Sequence, residues 1–300
     1  MFYEEFKEEL SKKLEEVFVK EHGGRVAFTT VNKVNRVVEQ VSLSLGATEG
    51  TSVGPSFTLE SFFDDYENGT SMDDIARYMV DVALKPVPKV DKLFSKEFVL
   101  KHASFRLLNA EKNQHLVDGH FTEPFLDLLL VYSVDFEDTD GFCSFLITKG
   151  FAYANEITFE ELREAARKNI GKPSINTLPE LLGIPEEEFC ECDDIMLIVG
   201  RNKRFGASYL AFVSEWASSI QELYGCDQFV ILPSSVEELI VVPYDKENAE
   251  SQLLGLMAMV SSVNEEVLET DEFLSNSIYL WDGEVVFKVD EHIARSIIAG

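Results

Sequence analysis

Cations are scarce in this chain. Its 300 residues carry 26 Lys and Arg against 54 Asp and Glu, a formal net charge of −28. General nucleic-acid binding needs clustered cations to neutralise phosphates, so direct nucleic-acid contact is not expected. Adsorption to an anionic membrane surface is disfavoured for the same reason. Cysteine is also scarce. Cys143, Cys190, Cys192 and Cys226 are too few for a disulfide scaffold and are expected as free thiols in a reducing, cytoplasmic compartment. The start, Met1-Phe2-Tyr3-Glu4-Glu5, lacks the basic opening and apolar run of a secretory signal. The longest uncharged apolar stretch, 251–264, contains three serines and falls short of the ~20 residues a membrane span requires. It is expected to be a buried helix.

Familiar catalytic templates are missing too. The sequence has no G-x-S-x-G, S-x-x-K, H-E-x-x-H, Walker A or G-x-G-x-x-G pattern. The run Asp135 to Gly141 resembles a calcium loop only superficially. Setting Gly141 at the obligatory glycine puts Phe136 and Ile147 at ligand positions, and neither can bind a hard cation. Cys190-Glu191-Cys192 is too tight for zinc-site spacing and has no second pair nearby. No cofactor is implied.

What remains is an apolar fraction of 45%, with 23 Phe and 9 Tyr, enough for a sizeable core. Phe2, Phe6, Leu10, Leu14, Val17 and Phe18 recur at helical spacing, and Gly23-Gly24 ends that helix. Arg25–Thr30 and Arg36–Leu45 read as a β-pair. Ser71 followed by Asp73 and Asp74 starts a helix carrying Ile75, Tyr78, Met79 and Val82. Residues 85–89, Lys-Pro-Val-Pro-Lys, mark a boundary between an N-terminal subdomain, 1–90, and a larger one, 91–300.

Beyond it, Ala103–Leu108 is expected as a strand and Ala110–Leu116 as a short helix. Pro124–Phe136 and Gly141–Thr148 read as a hairpin. Thr158 to Glu161 forms a capping box. The last third alternates strands at 195–199, 229–232, 239–242, 278–281 and 285–289 with helices at 212–224, 252–264 and 290–298. The pattern predicts an α+β fold with a mostly antiparallel or mixed sheet and flanking helices, as two abutting subdomains.

The charge is unevenly placed. From Phe205 to Phe287 there are fifteen acids and one cation, Lys246, a net of −14. Residues 113–148 hold seven acids and no Lys or Arg. This points to a solvated acidic surface, and beyond that to a surface that receives a basic protein partner or imitates nucleic acid. Arg201-Asn202-Lys203-Arg204 reads as an exposed basic turn.

Candidate chemical groups are few. His115, Asp118, His120 and Glu123 lie within nine residues and are all of metal-ligating type, although their spacing fits no standard site. Asp127 interrupts the apolar run 125–132, where a carboxylate is costly unless paired. Arg106 is the expected partner, and an acid with a raised pKa in a cleft is the alternative. Ser234 and Ser235 follow the apolar strand 229–232, with Glu238 just after. A serine nucleophile there would need a base, and no His is near in sequence.

Several segments together carry a resemblance. They are Pro55 to Glu60 with Tyr66 to Gly69; Leu108-Asn109 with Asn113 and Leu116; and Phe125 to Leu128 with Val131-Tyr132. Leu162, Ala166 and Asn169, Gly206-Ala207, and Ile231 to Ser235 with Glu238 and Ile240 continue it, followed by Val263-Asn264 and Leu274-Ser275. In order and spacing the chain resembles a domain-of-unknown-function family of uncharacterised bacterial proteins, found mainly in anaerobic gut bacteria. The resemblance implies a cytosolic bacterial protein and lends no catalytic residues. The family often carries His where this chain has Glu237, a departure that weakens a Ser–His scheme.

Three expectations follow. The first is a non-catalytic binding protein with an acidic surface. The second is a hydrolase-like or ligand-binding enzyme using Asp127, Ser234, Ser235 and Glu238. The third is an acidic inhibitor of a DNA-binding enzyme.

Overall fold

The computed structural model describes residues 2–45, 54–85, 95–138, 141–177, 180, 196–199, 205–233, 235–266 and 270–296. The chain divides into two compact units, Met1–Lys92 and Leu93–Gly300. The fold is α+β, with helices beside antiparallel sheets of three, six and four strands. Among the described residues no helix is long and apolar enough to cross a membrane.

In the first unit, helix α1 (Tyr3–Leu14) buries Phe6, Leu10 and Leu14, the residues its three- and four-residue spacing places on one face. A π-helical stretch, Glu15–Lys20, continues it and buries Phe18. Gly23 takes φ +66° and its amide bonds back to the Val19 carbonyl, closing the helix. At Gly24 an added Cβ would lie 2.3 Å from Cε1 of Phe18, so the ring occupies the room that any other residue would need. Strands β1 (Arg25–Lys33) and β2 (Arg36–Ser44) form an antiparallel hairpin whose turn holds Asn35 at φ +60°. Strand β3 (Ser56–Thr58) adds to β2. Helices α2 (Leu59–Glu67) and α3 (Met72–Ala83) complete the core with Leu59, Ile75 and Met79. Each such buried side chain contributes about 1.5–3 kcal/mol. The Ser71 hydroxyl accepts the Asp74 amide, as the cap pattern predicts.

In the second unit, helix α4 (Lys96–His102) leads into β4 (Ala103–Asn109). Strands β5 (Thr122–Phe125) and β6 (Leu128–Asp138) follow, then β7 (Gly141–Leu146). Long β6 runs beside β4 on one edge and beside β5, then β7, on the other. Helices α5 (Lys149–Ala154) and α6 (Phe159–Ile170) come next, and the Thr158–Glu161 capping box forms as read. The six-stranded sheet comprises β8 (Ser174–Thr177), β9 (Met196–Val199), β10 (Phe229–Pro233), β11 (Glu238–Pro243), β12 (Ile278–Trp281) and β13 (Val286–Val289), in the order β13-β12-β10-β11-β9-β8. Helices α7 (Ala217–Tyr224), α8 (Ala249–Glu266) and α9 (Glu291–Ser296) complete the unit.

A 3₁₀ segment, Gly206–Glu215, joins the two sheets of this unit. Its Ser208 hydroxyl donates to the Phe105 carbonyl of β4, and its Gly206 amide to the Glu237 carbonyl before β11.

Three local expectations need correction. The helix read at 212–224 begins only at Ala217, because the chain through Glu215 is 3₁₀, kinked at Phe212 (φ −135°, ψ 30°), and Trp216 leaves helical geometry (φ −124°, ψ −8°). The stretch 124–136 is two strands, split by a tight turn at Leu126-Asp127. Helix α8 is half-exposed: Ala249, Leu253 and Val260 are buried, but Met259 and Val263 are 53% and 41% exposed.

Candidate functional site

Leu126 takes φ +54° at the first turn position between β5 and β6, a conformation normally left to Gly or Asn. What fixes the turn is the next side chain. Asp127 Oδ2 accepts hydrogen bonds from Ser275 Oγ and Ser277 Oγ, each at 2.9 Å. Its Oδ1 accepts the Tyr279 hydroxyl at 2.8 Å. Tyr279 is fully buried, and burial, reinforced by the Asp127 charge, pushes its phenol pKa well above the usual tyrosine value. Tyr279 therefore stays a proton donor to the carboxylate. The Asp127 carbonyl accepts the Ala110 amide, and Asn109 Nδ2 donates to the Leu274 carbonyl at 3.0 Å. Asn264 Nδ2 reaches the Ser275 carbonyl from α8 at 2.9 Å. A polar knot thus ties the β5–β6 turn, the end of β4, helix α8 and the segment leading into β12. It unites Asn109, Asp127, Asn264, Leu274 and Ser275, all from segments that carry the family resemblance.

Arg106 is not the partner of Asp127. Its Nη2 pairs with Asp135 Oδ1 at 3.0 Å, each side chain only 12% exposed, and donates to Ser144 Oγ, which in turn donates to Asp135. The guanidinium stacks 3.9 Å from the Phe205 ring centroid, and burial lowers its pKa. Arg106 faces Val131 across the β4–β6 ladder, midway between the two acids: Asp135 lies within β6, whereas Asp127 lies in the turn before it and is already engaged by Ser275, Ser277 and Tyr279.

The remaining sequence candidates are dispersed. Ser234 lies outside the described residues, as do Cys190, Cys192 and Arg201–Arg204. Ser235 Oγ accepts the Glu237 amide at 3.0 Å, an ordinary turn bond. Glu238 opens β11 opposite Val199. Neither bonds to Asp127 among the described residues. Glu237, the position of the expected family His, accepts the Phe205 amide at 2.9 Å through its carboxylate, so its role here is to hold the start of the 3₁₀ segment.

His120 is buried with Nδ1 3.2 Å from the Leu116 carbonyl. Glu123 faces elsewhere: it accepts the Tyr132 hydroxyl and pairs with Arg163 at 3.4 Å. His115 lies on the 3₁₀ turn Gln114–Leu116. Among the described residues no group of three His, Cys, Asp or Glu is arranged to hold a metal ion.

One feature was not legible in the sequence. A cavity of about 590 Å³ opens between α4, β4, β6 and α6, lined by His102, Ser104, Asp135, Glu137, Asn169 and Tyr209 with the rings of Phe105, Phe136, Phe142 and Phe205. Much of its polar wall is occupied with the protein itself. Asn169 Nδ2 donates to the Leu100 and Ala103 carbonyls, and Tyr209 to the Ile170 carbonyl. His102 packs 4.4 Å from Phe98, and burial, then the Lys101 charge, lowers its pKa, so its ring is neutral near pH 7.

The acidic stretch 205–287 is largely on the outside. Glu222, Asp227, Asp245, Glu247, Glu250, Glu265, Glu266 and Glu284 are exposed, and its only cation, Lys246, is exposed beside them. Asp245 is held charged by hydrogen bonds from the Asn248 side chain and backbone, which lower its pKa.

No curated protein and no solved structure matches the chain. A protein-family model does, over residues 3–283, nearly the whole length and both compact units. The chain therefore belongs to the family of unknown function DUF5688.

Proposed function

We propose that this is a non-catalytic binding protein whose acidic surface on the second unit receives a basic protein partner. The observation that carries the proposal is the exposure of ten of the fifteen acids between Phe205 and Phe287, a span with a single Lys. So lopsided a field steers cationic partners and raises their association rate. The bonding of Asp127 and Ser235 supports binding over hydrolysis, since the carboxylate is taken up by the Ser275, Ser277 and Tyr279 hydroxyls and the Ser235 hydroxyl by the Glu237 amide. The same reading puts the protein in the bacterial cytoplasm, where Cys143 would stay a free thiol.

The test is a pull-down with the full chain at about 50 mM and about 500 mM salt, where screening lengths differ severalfold. Basic proteins are expected in the low-salt fraction and not in the high-salt one. Failure to enrich any partner, or enrichment indifferent to salt, refutes the proposal. Competition with DNA for an enriched enzyme would specialise it to an inhibitor of DNA-binding enzymes.

The aromatic-walled cavity favours a second reading, a small-ligand site. The rings of Phe105, Phe136, Phe142 and Phe205 suit a ligand with a flat apolar body. A thermal-shift screen of small aromatic compounds tests it. Stabilisation that disappears in Phe142→Ala supports the reading, and a flat screen removes it.

A further inference from the structure

Helix α8 exposes a face that the described residues of its own unit leave uncovered. Leu253 and Val260 point into the six-stranded sheet's core, with Leu254, Leu256 and Met257 packed beside them. The opposite face runs Ser251, Gly255, Ala258, Met259, Ser262, Val263, all exposed, with no charge anywhere from 251 to 264. In a chain of net charge −28, a solvent-facing helix surface is where carboxylates would ordinarily sit. They stand only at its ends: Asp245 and Glu247 just before it, Glu250 in its first turn, and Glu265 and Glu266 in its last.

Gly255 is the second clue. It sits mid-helix, where Gly is the poorest residue short of Pro. Its φ is not in the left-handed region, and a Cβ there would meet nothing within 4 Å. Nothing inside the described structure asks for a glycine, whereas close approach by a body outside it would. The face is also held rigid. Gln252 donates to the Pro243 carbonyl and accepts the Asp245 amide near one end, and Asn264 donates to the Ser275 carbonyl near the other.

We infer that this face of α8 is the docking ridge for an amphipathic helix bearing cations at both ends, a partner that specifies the basic protein of the reading above, on which the inference rests. Charge decides between occupants. A second copy, packed parallel or antiparallel on the same ridge, would bring acidic ends against acidic ends. A partner helix with Lys or Arg clusters spaced to match would meet both. From Glu250 to Glu265 the axial distance is about 22 Å at 1.5 Å per residue, so its clusters stand about fifteen residues apart. Between them it presents Leu- or Met-type side chains to Met259 and Val263, its backbone coming closest over Gly255.

The test titrates the full chain with a fluorescent peptide of about 18 residues, carrying an apolar stripe and paired Lys at both ends, and with its counterpart ending in Glu. Saturable, salt-sensitive binding of the Lys peptide alone is expected. Affinity should fall at least tenfold in Met259→Asp/Val263→Asp and in Gly255→Gln. Both variants alter exposed positions, and unchanged circular dichroism confirms that they fold. Absence of saturable binding overturns the inference, as does equal affinity for the variants. So does sedimentation evidence of a dimer that the variants dissolve, since the occupant is then a second copy. If salt-sensitive basic partners persist in the pull-down with the variants, the ridge is wrong but the acidic-surface reading stands. If the wild type captures none, that reading itself fails.

Discussion

Removal of the Asp127 carboxylate is the sharpest perturbation of the second unit. Three hydroxyls converge on it, from Ser275, Ser277 and Tyr279. A hydrogen bond to a charged acceptor is worth about 1.5–3 kcal/mol, and a buried donor left without a partner costs its full desolvation. Ser275 is 2% exposed and Tyr279 0%, so those two count in full, while half-buried Ser277 turns to water. Asp127→Ala should therefore cost about 3–5 kcal/mol, lowering the urea midpoint by about 1–2 M. The assay is tryptophan fluorescence. Both tryptophans, Trp216 and Trp281, are buried in the second unit, and Trp281 ends the strand that holds Tyr279, so the signal reports this unit alone. Asp127→Asn keeps one acceptor oxygen and should fall between the two. If Asp127→Ala stays within about 0.5 kcal/mol of the wild type, the knot does not hold the fold together, and the carboxylate is free for another role.

Further outcomes follow from the same geometry. Tyr279 ionises near pH 10 when unfolded but at a higher pH when folded, so the unfolded chain releases its proton first. The tyrosine's contribution is complete below about pH 10 and declines as pH rises from there toward the folded value; urea midpoints across pH 9–11 should show this decline, and Tyr279→Phe should flatten it. Asp135→Ala strands the buried Arg106 charge and should cost about 3–5 kcal/mol, whereas Arg106→Met/Asp135→Leu should recover most of it in chemical denaturation. Gly24→Ala forces the Phe18 ring aside and should destabilise the first unit by about 1–3 kcal/mol, read by hydrogen exchange over residues 3–44. Gly255→Ala meets open space and should instead stabilise the second unit by about 0.5–1 kcal/mol in a thermal melt.

Local signals in the sequence translated well where one short-range interaction decides the outcome. Ser71 and Thr158 cap helices as their patterns imply, and β1 pairs with β2 from Arg25–Ser44 to Lys33–Arg36. Strands β6 and β7 pair as the expected hairpin, with Asp138 opposite Gly141. The Leu126-Asp127 turn was hidden because Leu is a poor residue for positive φ. It is held by donors some 150 positions away, and no window of sequence contains both ends of that bond. The partner of Arg106 was hidden differently: Val131, which it faces, is four residues from both Asp127 and Asp135, and Asp127 is claimed by the distant hydroxyls. Helix α8 shows a different limit: hydropathy reports how apolar a stretch is, not which side of it meets solvent. The cavity beside His102 is assembled from α4, β4, β6, β7, α6 and the residues around Phe205, and nothing in any one of them announces it.

The proposed function rests on carboxylates that face outward to meet a cationic partner. Its most direct measurement is the salt dependence of affinity for one purified basic partner, in the wild type and in Glu250→Gln/Glu265→Gln/Glu266→Gln. A steep fall of affinity with salt in the wild type, and a clearly shallower one in the variant, is the predicted result. An affinity that ignores salt, or identical slopes in the two proteins, would contradict it.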